Sequence, residues 1–136
     1  MDLITIITIT LLIIMAMFHF YWGFGGEVGL DKALPTKDGK RLINPGKVLT
    51  LFVGIVLLVF SFVAYSLHFN TLNADFILYL GWGISALFFL RAIGDFNAVG
   101  FFKKITSTDF AKYDTKYFSP LCLYLGIVFF ILSLQA

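Results

Sequence analysis

Cysteine, proline, histidine and charge are all scarce in this chain. A single cysteine, Cys122, lies in an apolar run, so no intrachain disulfide, Cys-x-x-Cys pair or thiolate metal cluster can form, and quinone-linked thiol oxidation is excluded. Two histidines without a His-x-x-x-His spacing supply neither a metal site nor a haem bracket. No Gly-rich phosphate loop follows a strand. Only 18 of 136 residues are charged, ten basic and eight acidic, and none lies at the middle of an apolar run. Ion-coupled and proton-coupled transporters keep an ionisable group there, which places transport third among the functional readings.

What the chain has instead is hydrocarbon. Hydrophobic residues make up 60% of it and the mean hydropathy is +0.93, outside the range of water-soluble domains. Lipid cannot satisfy a bare backbone, and a helix satisfies its own, so crossing a bilayer takes roughly 20 apolar residues. Four stretches qualify: Leu3 to Phe24, Lys47 to Leu67, Asp75 to Ile93 and Ser119 to Gln135. The expected fold is all-α, a polytopic four-transmembrane-helix bundle forming one domain over residues 1–136, joined by two cytoplasmic loops. The first span has no basic leader or cleavage site and is expected to be retained. Asn44-Pro45-Gly46 turns into the second span, and Ser119-Pro120 opens the fourth with a capping hydroxyl and a first-turn proline. That last span has 17 residues, a rise of only about 26 Å.

All ten basic residues fall in 25–47 and 91–118. Short cytoplasmic loops carry such an excess, so these two loops are expected inside a bacterial cytoplasmic membrane, with both termini outside. The complete asymmetry argues against a dual-topology dimer. In the first loop the Asp38-Gly39 turn signal predicts a short hairpin. In the third, Phe101, Phe102, Ile105, Phe110, Tyr113 and Tyr117 interleave with lysines, the pattern of a segment at headgroup level and not of a nucleic-acid surface.

Ionisable groups near span ends are the candidates for chemistry. His19 and Trp22 share a helix face, with Gly25-Gly26-Glu27 just beyond, and Arg91 and Asp95 lie four residues apart around Gly94. A functional reading makes a polar pocket of these. His19, Glu27 and Asp95 are its candidate catalytic groups, and Trp22, Arg91 and Asp95 its candidate ligand contacts. A plainer reading has Arg91 snorkelling and paired with Asp95, Trp22 anchoring at the interface, and His19 hydrogen-bonded between helices. Gly54, Ser61, Gly81, Gly83, Ser85, Ala86 and Gly126 read as helix-packing contacts.

The block His19-Phe20-Tyr21-Trp22-Gly23-Phe24-Gly25-Gly26 resembles a family of small bacterial four-helix membrane proteins, a domain of unknown function. The resemblance continues through Leu34-Pro35-Thr36, Asn44-Pro45-Gly46, Arg91-Ala92-Ile93-Gly94-Asp95-Phe96, Val99-Gly100-Phe101-Phe102-Lys103, Phe110-Ala111, Asp114, Tyr117 and Ser119-Pro120-Leu121-Cys122-Leu123. It implies four-helix topology and motif blocks gathered at one side of the membrane, and it assigns no activity.

The expected function is binding, or chemical conversion, of a small amphipathic or lipid-like ligand at this polar cluster near the cytoplasmic leaflet, with no cofactor and no metal. The competing expectation is an accessory subunit that docks a larger membrane complex through its glycine faces and loops.

Overall fold

A computed structural model describes residues 1–136. Its elements are α1 (Asp2–Gly23), α2 (Leu30–Ala33), β1 (Thr36–Lys37), β2 (Lys40–Arg41), α3 (Lys47–Phe69), α4 (Asp75–Ile93), α5 (Asp109–Tyr113), a π-helical turn (Asp114–Phe118) and α6 (Ser119–Gln135). Four helical segments are long and apolar enough to cross a membrane, the fourth being the continuous run Asp109–Gln135. The outward faces are apolar, with Leu3, Phe52, Phe62, Phe76, Tyr79 and Leu90 among the exposed side chains. That is the inverse of a water-soluble bundle.

Packing divides the bundle into two antiparallel pairs. α1 lies along α3 and α4 along α6, with α3 making the main bridge between the pairs, while α1 and α4 are not a packed pair. The interior is built from Leu12, Ala16, Leu57, Val63, Ala64, Leu67, Ile84, Phe88, Leu125, Phe129 and Leu132. Small residues let the helices approach: Gly54 lies under the Phe20 ring and Gly126 under Phe89. The buried Ser85 hydroxyl donates across the α4/α6 interface to the Gly126 carbonyl at 2.8 Å. Gly81 meets Leu67 and Ser133 where three helices converge. Gly83 and Ala86, expected to act likewise, instead face outward.

The fourth helical segment is longer than expected. Helix begins at Thr108, whose hydroxyl caps the Ala111 N–H at 3.1 Å, and runs on into the apolar span at Ser119. Pro120 has no N–H to give the preceding turn and its ring crowds that turn's carbonyl. The wide π turn at 114–118 lies immediately before it, where the helical ladder has to loosen.

Both connecting segments at the basic end are folded. The expected hairpin forms, with Thr36 opposite Arg41 and Lys37 opposite Lys40. Asp38 and Gly39 have φ of 53° and 74°, the two positive values that a tight hairpin turn demands. Arg41 bonds Asp31 at 2.8 Å. Helix α2 packs on α5, and the Lys32 ammonium lies 5.0 Å above the Tyr113 ring, so the two loops meet and tie the helix pairs together.

Candidate functional site

The polar residues at the basic end form two separate centres, one for each helix pair.

The first is built where α4 stops. Gly94 leaves the helix at φ 86°, ψ −168°, and the Asp95 carboxylate turns onto its own loop, accepting the N–H groups of Asn97 at 2.9 Å, Ala98 at 2.9 Å and Val99 at 3.1 Å. Those backbone donors, Asn97 foremost, hold the Asp95 carboxyl below the usual aspartate range. The loop returns so closely that a Cβ on Gly94 would strike the Val99 carbonyl and one on Gly100 would strike the Gly94 backbone. Phe101 N–H closes the circuit onto the Ala92 carbonyl at 2.8 Å.

The expected Arg91/Asp95 pair is therefore corrected. Four-residue spacing brings side chains together only on a continuous helix, and α4 ends at Ile93. Arg91 instead donates through Nη2 to Asp114 Oδ1 at 2.8 Å. The Asp114 side chain is 0% exposed and sits in the π turn. Its Oδ2 accepts the Gly100 N–H at 2.8 Å and lies 3.2 Å from Lys103 Nζ. Lys103, with a side chain only 1% exposed, directs its remaining donors to the Gly100 carbonyl at 2.8 Å and to the Thr115 hydroxyl. One carboxylate thus binds α4, the 94–105 loop and the start of the fourth helix. Two cations surround one anion, leaving the centre one charge positive.

The second centre lies between the end of α1 and the start of α3. The chain after α1 folds back on its last turn, with Trp22 Nε1 donating to the Val28 carbonyl at 2.9 Å. This leaves a cavity of about 220 Å³ lined by Trp22, Gly25, Gly26, Glu27 and Leu30 on one side and by Arg41, Asn44, Lys47 and Thr50 on the other. Trp22 and Glu27 both line it. His19 stands behind the wall: its ring is edge-on to Trp22 at 5.5 Å, and its Nδ1–H donates to the Met15 carbonyl at 2.7 Å. In the neutral imidazole that bond requires the proton on Nδ1 and leaves Nε2 an acceptor. A larger cavity, about 260 Å³, lies at the opposite end around Asn70, Asn73, Asp75 and Ala136 and includes none of the candidate residues.

Residues 91 and 95 are thus placed apart from 19, 22 and 27. Missed by the sequence reading were Asp114 and Lys103, which look like ordinary members of a solvated loop. The signal that marks Asp114 is helical: Phe110, Ala111 and Asp114 are all buried, at a spacing that one helix face requires once Thr108 is recognised as a cap. No group of acidic, His and Cys side chains is arranged to hold a metal ion.

Four apolar spans, folded basic-end loops and a buried ion cluster define a multi-pass α-helical membrane protein. The chain belongs to DUF3995, a family of proteins of unknown function, whose profile matches residues 12–129. No curated protein and no solved structure matches it.

Proposed function

We propose that this protein binds a small amphipathic or lipid-like molecule at the basic end of its bundle, in the cavity between α1 and α3. The observation that carries the reading is the lining of that cavity: Trp22 gives an aromatic wall, and Glu27, Arg41 and Lys47 give both signs of charge around about 220 Å³. Sites of this kind combine an apolar surface with a few placed polar groups. Supporting it, all basic residues outside the cavity also lie at this end, a charge distribution that under the positive-inside rule favours a position at the cytoplasmic leaflet of a bacterial inner membrane, with the apolar outer faces in lipid. His19 stands one ring behind Trp22 and outside the cavity lining, so if the ligand is also converted its Nε2 serves proton transfer by relay and not by direct contact.

The test is native mass spectrometry of protein extracted gently from its own membrane. A stoichiometric small-molecule adduct that disappears in Trp22→Ala supports the site. An adduct unchanged by that substitution, or none at all, overturns it.

A second reading, an accessory subunit, is favoured by one feature. Gly83 on the outward face of α4 has nothing within 4 Å of where a Cβ would stand, and beside it Tyr79 and Leu87 are exposed, an arrangement suited to a further helix. A protein partner without an adduct in the same spectra would support it.

A further inference from the structure

Glu27 and Lys47 line one cavity with opposite charge and do not pair. Four ion pairs form in the chain, and neither residue is in one. The backbone around each is held in place. After α1, the Gly25 N–H bonds the Trp22 carbonyl at 3.1 Å and the Gly26 N–H bonds the Tyr21 carbonyl at 2.9 Å, while the Trp22 indole N–H holds the Val28 carbonyl at 2.9 Å. Lys47 is the first residue of α3, and Gly23 lies directly against Leu51 at the α1/α3 contact. The two walls are thus set by packing, and a cavity of about 220 Å³ stays open between them.

Charge tells what kind of molecule fits. Arg41, the third charged residue of the lining, is matched by Asp31 at 2.8 Å. That leaves one carboxylate and one ammonium. The Lys47 ammonium stands 3.8 Å from the point where a Cβ on Gly25 would lie, two residues before Glu27, so the two charges bear on the same stretch of the wall. An anionic ligand would gain Lys47 and face Glu27; a cationic one would gain Glu27 and face Lys47. Like charges brought together in this way work against binding. A molecule carrying both signs meets both residues. Trp22, its N–H committed to Val28, offers ring surface, which suits an ammonium. Beside the lining residues in sequence, Phe24 and Val48 are 80% and 82% exposed, apolar surface on which the chains of a lipid can lie while its headgroup enters the cavity.

We propose that the α1/α3 cavity selects a zwitterionic headgroup, its phosphate on Lys47 and its primary ammonium on Glu27 beside Trp22, the chemistry of a phosphatidylethanolamine-type lipid. The inference rests on the binding reading above and adds the class of ligand. Lys47 serves as a point charge for the phosphate, and Glu27 is the selectivity residue that turns away purely anionic lipids.

The experiment is thermal unfolding of the purified full-length chain in neutral detergent, titrated with short-chain phosphatidylethanolamine, with phosphatidylglycerol of the same chain length, or with free phosphoethanolamine. The expected result is a saturable upward shift of Tm with phosphatidylethanolamine at a concentration at least about tenfold below that needed for phosphatidylglycerol. In Glu27→Gln, an exposed position that takes part in no ion pair, the two lipids should become equivalent; in Lys47→Gln both should weaken. A shift by free phosphoethanolamine as strong as by the lipid would support the same chemistry in a soluble molecule. Phosphatidylglycerol acting as well as phosphatidylethanolamine on the unsubstituted protein, through a response lost in Trp22→Ala, overturns the zwitterion and leaves the binding reading standing. A Tm indifferent to all three overturns the inference as well, and native mass spectra without an adduct would then remove the binding reading beneath it.

Discussion

Arg91, near the end of α4, and Asp114, in the π turn before α6, are joined by a 2.8 Å hydrogen-bonded ion pair whose carboxylate is wholly enclosed. Residues 23 positions apart in sequence thus fix where the longest connecting loop at this end begins and finishes. Removing one partner of a buried pair leaves the other charged and unsolvated, which typically costs about 3–5 kcal/mol. Asp114→Asn, which strands both Arg91 and Lys103, is expected to lower stability by that order, read as a fall in Tm in detergent. Asp95→Asn, which strands no cation, is expected to cost much less. Equal losses from the two variants would contradict the assignment of Asp114 as the anchor.

Asp95 works through its backbone donors, and that gives it a pH signature. Its carboxyl is held below the ordinary range by the Asn97, Ala98 and Val99 N–H groups. A depressed folded value means that the contribution is fully present above the unfolded aspartate value, about 3.9, and is lost as pH falls through the lower folded value. The protection of these three amides, measured against the intrinsic exchange rate at each pH, is therefore expected to persist at neutral pH and to fall only in the acid range at and below that value. In Asp95→Ala the protection should be absent at every pH.

What was legible in the sequence and what was not divide along physical lines. The four spans were legible because a lipid solvent dictates their length and composition, and the hairpin was legible because Asp38-Gly39 suits two positive φ values. Trp22 and Glu27 line one cavity because the chain between them is short. Arg91 and Asp95 were wrongly paired because i, i+4 spacing was applied across a helix end that Gly94 creates. Asp114 was overlooked because its burial depends on a fourth helix that starts ten residues before its apolar run, through a π turn that hydropathy does not register.

Gly94 and Gly100 are the points at which that loop tolerates least. Their φ values are 86° and 89°, and each lies against the other's backbone or that of its neighbour. Alanine at either position adds a left-handed penalty of roughly 1–2 kcal/mol before any steric conflict. Because the obstructing atoms are backbone, the loop has to shift, and with it the Gly100 N–H that binds Asp114. Gly100→Ala is expected to destabilise about as much as Asp114→Asn, and the double variant to cost less than the sum of the two. Strict additivity in detergent unfolding would separate the glycine from the ion cluster.

At the α1/α3 cavity, Trp22 and His19 should come apart experimentally. Truncating an aromatic wall removes contact area from the ligand itself, so Trp22→Ala is expected to weaken adduct retention by at least about tenfold, or 1.4 kcal/mol. His19→Phe keeps an aromatic edge against Trp22 and removes only the nitrogen acceptor. Adduct retention should survive it, while any conversion of the bound molecule should stop. Loss of binding in His19→Phe would make the histidine a wall residue and would remove the case for proton transfer.

Orientation is the remaining expectation on which the reading depends, and cysteine chemistry can test it directly. Cys122 is the chain's one thiol and is buried, so a Cys122→Ser background gives a chain with no reactive sulfur. Single cysteines introduced at Thr106 in the basic-end loop and at Asn73 in the opposite loop, both exposed positions, leave the count of Lys and Arg untouched. With a membrane-impermeant maleimide, Asn73→Cys is expected to label on intact cells and Thr106→Cys only after lysis. The driving asymmetry is ten basic residues against none, far beyond the small bias at which orientation becomes mixed. Labelling of Thr106→Cys on intact cells would turn the protein over, place the Trp22 cavity on the outer face, and make an extracellular or periplasmic molecule its ligand.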